Sequence, residues 1–150
     1  MKSRAAPEGC LIVGYGCPLR GDDRVGLAAA HILARRGYRA LAVHQLSPEL
    51  AEPVAGARTV VFLDADARLA PGEVAVERLW PDPVRSGPME HHSTPQALLA
   101  LARQLYASEP DAWRIGIGGE DFGFGRRLSP SARSGLRRAI AEVAGAGGSE

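Results

Sequence analysis

The sequence predicts an α/β protein: a single-domain, three-layer fold with a mostly parallel twisted sheet of about five strands and helices on both faces. Three observations lead there. Short apolar runs alternate with helical patterns along the whole chain. Each later helix opens on a Ser-Pro or Thr-Pro start signal. No linker or repeat interrupts the 150 residues, a length that suits one domain with a sizeable core, and 45% hydrophobic content is ordinary for a globular chain.

The elements follow in order. Cys10 to Tyr15 is an apolar run that reads as a buried strand. It empties into glycine turns and then into a helix, about Val25 to Arg36, with Val25, Leu27, Ala28, Ile32 and Leu33 on its apolar side and Gly37 placed to cap it. Ala40 to His44 is a second strand. Ser47-Pro48-Glu49 starts a short helix as N-cap, first-turn proline and first-turn acid. Thr59 to Leu63 is β-branched and apolar, a central strand ending at Asp64. Glu73 to Trp80 alternates Val74, Val76 and Leu79 with charged residues, the mark of a half-exposed edge strand. Pro81 to Ser93 is a loop, and Thr94-Pro95 starts a third helix through Ala97, Leu98, Leu101 and Leu105. Trp113 to Ile117 is a further buried strand, Gly118 to Leu128 a glycine-rich loop, and Ser129-Pro130 starts a last helix toward Val143. Residues 1–9 and 145–150 are expected to be flexible ends.

Composition excludes several functions. Lys plus Arg is 18 against 17 Asp plus Glu, so no net field favours nucleic acid or an anionic membrane, and the few aromatics give no stacking platform. The run Cys10 to Tyr15 is too short for a signal-peptide core, and nothing approaches a membrane span. With only Cys10 and Cys17 there is no disulfide framework, so a reducing cytoplasm is expected.

In an open parallel sheet, ligands bind beyond the carboxyl ends of the strands, where strand order reverses. Asp22 and Asp23 follow the first strand and Asp64 ends the third, placing acids on both sides of that crevice. Asp22 and Asp23 have a simpler reading as caps of the first helix. Asp64, ending a buried run, needs a partner or a ligand. His91 and His92 lie in the loop before the third helix and read either as solvated or as closing over the same spot. Two carboxylates and an imidazole form a donor set for a borderline divalent ion such as nickel, zinc or manganese. Asp66 reads as a surface neighbour, His31 and His44 as packing or supporting residues. Gly14-x-Gly16 falls short of a dinucleotide fingerprint, because Leu19 replaces the third glycine, Pro18 removes an N–H and His44 stands where an acid belongs.

The motifs together resemble the hydrogenase maturation proteases, endopeptidases that remove the C-terminal extension of nickel-iron hydrogenase large subunits. The residues carrying the resemblance are Gly16-Cys17-Pro18-Leu19-Arg20-Gly21-Asp22-Asp23, Ser47-Pro48-Glu49-Leu50, Val60-Val61-Phe62-Leu63-Asp64-Ala65, His91-His92-Ser93-Thr94-Pro95, Gly119-Glu120-Asp121-Phe122-Gly123 and Leu128-Ser129-Pro130, collinear from about Leu11 to Val143. The resemblance implies that Asp23, Asp64 and His91 are the metal-contacting and catalytic residues. It implies that the divalent metal is nickel supplied by the substrate, and that the partner is a large-subunit precursor. A monomer is expected. A non-catalytic metal-sensing chaperone docking on the same subunit is the alternative, since no general base can be assigned from sequence. Two positions depart from the family pattern: Cys17 replaces the usual asparagine, as a soft donor or an inert thiol, and Arg24 replaces a common glycine and is placed to pair with Asp22.

Overall fold

The computed structural model describes residues 8–83 and 94–147. Five strands form one sheet: β1 (Cys10–Tyr15), β2 (Arg39–Val43), β3 (Thr59–Ala65), β4 (Val74–Leu79) and β5 (Asp111–Ile117), in the order β2-β1-β3-β5-β4. All pairs are parallel except β4 with β5. The edge position expected for Glu73 to Trp80 is found, and its antiparallel sense follows from the short turn that returns the chain from β3.

Four helices cover the sheet: α1 (Val25–Arg35), α2 (Ala51–Ala55), α3 (Pro95–Tyr106) and α4 (Pro130–Gly147). Because side chains alternate along a strand, β3 feeds two cores. Val60 and Phe62 pack with Leu11, Val13 and the α2–α3 layer, while Val61 and Leu63 pack with Ile12 and the α1–α4 layer. Phe62, Leu63, Leu11 and Ile12 are fully buried, and each such side chain stabilises the fold by about 1.5–3 kcal/mol. Helix α1 lies hard against the sheet. A Cβ on Gly14 would run into the Gly26 carbonyl, and one on Gly26 into the Leu63 carbonyl, so glycine at both positions permits the approach.

The later start signals behave as read, whereas Ser47 makes no side-chain cap bond and Pro48–Leu50 forms a 3-10 turn ahead of α2. Thr94 Oγ1 accepts the Ala97 N–H at 3.1 Å and caps α3, and Gly37, with φ of 95°, follows the end of α1. Helix α4 runs on through residues 145–147 to Gly147. At the β4 edge, Arg78 stacks on Trp80 and Trp113, 4.6 and 5.4 Å from their ring centroids, and pairs with Asp111 at 2.9 Å. Among the described residues no helix is long and apolar enough to cross a membrane.

The switch point falls between β1 and β3, where one connection leads out to β2 and the other toward β5. Both sequence-predicted carboxylates lie at its C-terminal edge.

Candidate functional site at the carboxyl ends of β1 and β3

The chain leaves β1 through Gly16-Cys17-Pro18-Leu19-Arg20 and makes a short 3-10 turn, Gly21–Arg24, before α1. Neither aspartate caps α1, whose N-cap is Arg24 with no side-chain cap bond. The two acids have separated roles instead. Asp22 is fully buried. Its Oδ2 accepts the backbone N–H groups of Glu120 and Asp121 at 2.8 and 3.0 Å and the Ser129 hydroxyl at 2.7 Å, and its Oδ1 accepts the Ser129 N–H at 2.7 Å. Burial opposes its charge, but these four donors outweigh that cost and hold its pKa below the ordinary carboxylate value. Asp22 thus ties the first turn to the glycine-rich loop. Backbone bonds from Gly21 N to Gly125 O and from Gly125 N to Leu19 O, at 2.9 and 2.8 Å, reinforce the joint. Gly21 itself has φ of 52°, the left-handed region that glycine occupies without strain.

Asp23 remains at the mouth, partly exposed, with Oδ2 accepting the Cys17 N–H at 2.8 Å. The pairing expected between Arg24 and Asp22 does not form, because Asp22 is already saturated; Arg24 Nη1 donates to the Arg126 carbonyl instead. The Cys17 thiol is free and partly buried.

Asp64 lies on the α2–α3 face of β3, one step past Phe62, with its side chain 17% exposed. The Tyr15 hydroxyl faces it from β1, so Tyr15 and Cys17, two residues apart in sequence, each contact one carboxylate of the pair. From β5, Arg114 brings Nη2 to 2.8 Å from Asp64 Oδ1. That approach is an ion pair without hydrogen-bond alignment, and Asp64 Oδ1 is a buried oxygen with no hydrogen-bond partner among the described residues. Burial raises the pKa of Asp64 above the carboxylate norm, and the Arg114 charge offsets only part of the rise. Burial, with the Asp64 charge beside it, also pushes the Tyr15 phenol well above its usual value.

Asp66 corrects its expected place as a surface neighbour. It is 6% exposed, is bound by Arg68 through Oδ1 and Oδ2 at 3.1 and 2.9 Å, and accepts from Arg114 Nη1 at 3.2 Å. The Arg68 hydrogen bonds, above all, hold its pKa far below the usual range. Sequence reasoning missed Arg114, although a signal existed: a lone arginine within the apolar run Trp113 to Ile117 must find counter-charge, and on β5 it pairs with Phe62 and Glu77, on the face that Asp64 shares.

His91 and His92 lie outside the described residues. Among the described residues, no three His, Cys, Asp or Glu side chains gather as a metal site. Asp64, ion-paired with Arg114, nonetheless offers one donor of the kind a divalent ion takes. Asp64 holds a buried oxygen without a hydrogen bond, and a hard anionic donor in that state is what such an ion would satisfy.

Fold and site together define an open α/β domain with carboxylates at its topological switch point. No family model matches the sequence, and no curated protein sequence matches it. Solved structures do. The chain is similar to the nickel-iron hydrogenase maturation protease HybD from Thermococcus kodakarensis, with 26% identity, 92% of this chain and 98% of that one covered, and a TM-score of 0.73. It shares the fold of the hydrogenase maturating endopeptidase HybD from E. coli (19% identity, 91% and 90% covered, TM-score 0.73) and of the endopeptidase HycI from Escherichia coli (18%, 93% and 93%, 0.66). These likenesses support the resemblance carried by the sequence motifs.

Proposed function

We propose that this protein is an endopeptidase that removes the C-terminal extension of a nickel-iron hydrogenase large-subunit precursor after nickel insertion, with the ion arriving as part of the substrate. The observation that carries the reading is the pair Asp23, beyond the carboxyl end of β1, and Asp64, at the carboxyl end of the adjacent β3, one partly exposed at the mouth and one with a buried oxygen lacking a hydrogen bond. The names of the structurally similar proteins, maturation protease and endopeptidase, support it.

In this reading Asp23, Asp64 and His91 hold the ion. A divalent ion supplies Lewis acidity toward a scissile carbonyl or an attacking water. The chain's own residues do the rest. Cys17 N–H orients Asp23, while Tyr15 and Arg114 face Asp64 and offset part of the cost of its buried charge. Beside the mouth, Leu19 and Phe124 stand on the two backbone segments joined at Gly125, 39% and 89% exposed. They offer the precursor an apolar contact.

The test is mass spectrometry of a large-subunit precursor, in nickel-loaded and nickel-free forms, after incubation with the metal-free protein. Loss of the C-terminal peptide from the nickel-loaded form alone is the expected result. Equal cleavage of both refutes substrate-borne nickel as the trigger, and cleavage of neither refutes the endopeptidase and favours a docking chaperone.

A further inference from the structure

Arg114 is 12% exposed in the middle of β5, a costly place for a charge unless it is fully compensated. Three carboxylates surround it. Nη2 is 2.8 Å from Asp64, and Nη1 is 3.2 Å from Asp66 and 3.4 Å from Glu77. The contacts are unequal in kind. Asp66 and Glu77 accept aligned hydrogen bonds from Arg114, whereas Asp64 Oδ1 receives charge without alignment. Asp66 and Glu77 therefore give the guanidinium anchors that do not depend on Asp64.

We propose that Arg114 is an internal counter-ion that occupies Asp64 while no divalent cation is present and yields it, held by Asp66 and Glu77, when one arrives. The inference rests on reading Asp64 as a metal ligand. A fixed positive charge at ion-pair distance from a ligand carboxylate opposes a dication strongly at the low effective dielectric of a partly buried site. Arg114 is thus a positioning residue acting through Asp64. It holds that carboxylate in place when the site is bare, and it weakens the hold of the isolated protein on free metal. Such a protein scavenges little metal of its own and responds to an ion presented by a partner that adds ligands.

The experiment is calorimetric titration of the isolated full-length protein with nickel, using wild type, Arg114→Gln, Asp64→Asn and the double variant, with folding checked by circular dichroism. Arg114→Gln should bind nickel at least about tenfold more tightly than wild type, the equivalent of ~1.4 kcal/mol, and the gain should vanish in the double variant. A residue that only braced the fold would give no gain. Unchanged or weaker binding by Arg114→Gln, or a gain that survives Asp64→Asn, overturns the counter-ion. Nickel binding by Asp64→Asn equal to wild type sinks the ligand reading itself, a distinct failure. Should Arg114→Gln not fold, wild type suffices: heteronuclear NMR of the arginine side chains during titration with diamagnetic zinc should show the Arg114 guanidinium signal shifting, and a signal unmoved at saturation overturns the proposal.

Discussion

Asp22 and Asp64 are both carboxylates withdrawn from solvent at the same end of the sheet, and they are satisfied in opposite ways. Asp22 takes four hydrogen bonds from neutral donors on one loop, leaving its lone pairs occupied and its pKa low. Asp64 has a cation beside it, a phenol facing it, an oxygen without a hydrogen bond and a raised pKa. A buried carboxylate is free to take a ligand only where its acceptor sites are not already filled by the fold. By that criterion Asp22 is architecture and Asp64 is the candidate ligand, although in sequence both are acids at strand ends.

The comparison breaks most visibly at Asp22. Asp22→Ala strands three backbone N–H groups and the Ser129 hydroxyl in a buried joint, and should cost about 3 kcal/mol or more of stability, read from urea denaturation. Loss of under about 1 kcal/mol would mean that the joint is not structural. Phe124→Ser should sharpen the functional half. Removing an exposed side chain that the precursor would bury should lower kcat/KM about tenfold, with stability unchanged, in line with the loss of one buried aromatic contact. No change in cleavage kinetics would remove Phe124 from the docking surface.

The acid limb of stability gives a further contrast. A carboxylate whose folded pKa lies below its unfolded value adds stability above the unfolded pKa and loses it as pH falls through the folded one. Asp22 and Asp66 are of this kind, so wild type should weaken below about pH 4, and Asp22→Asn should flatten that loss. Asp64, with its pKa raised, has the opposite sign, and Asp64→Asn should leave the acid limb intact or steepen it. Denaturation midpoints measured against pH check both, and identical profiles for the two variants would contradict the division of roles. The smallest effect belongs to Tyr15→Phe, which removes only the hydroxyl facing Asp64 and should cost about 1 kcal/mol by thermal unfolding. A cost above about 3 kcal/mol would make Tyr15 a structural anchor.

The strands and helices were legible because their signals are local. The apolar runs at Leu11, Thr59 and Trp113, the Thr94-Pro95 and Ser129-Pro130 starts and the alternation through Glu73 to Trp80 all became the elements they indicated. Positions of Asp23 and Asp64 at adjacent strand ends followed from the same topology. What sequence could not give were partnerships over long separations. Asp22 finds its donors 98 to 107 residues away, and Arg114 reaches Asp66 across 48 residues, so a cap and a surface acid were read where a loop anchor and an arginine clasp exist. Arg24 likewise was placed with its neighbour Asp22, but the distant loop had taken that carboxylate.

The most direct test of the division between the two carboxylates is cleavage of nickel-loaded precursor by Asp64→Asn, a change that keeps the shape beside Tyr15 and Arg114 and removes the charge. The account predicts a folded protein, by circular dichroism and unfolding midpoint, that leaves the precursor uncut by mass spectrometry. Full cleavage by folded Asp64→Asn would contradict it.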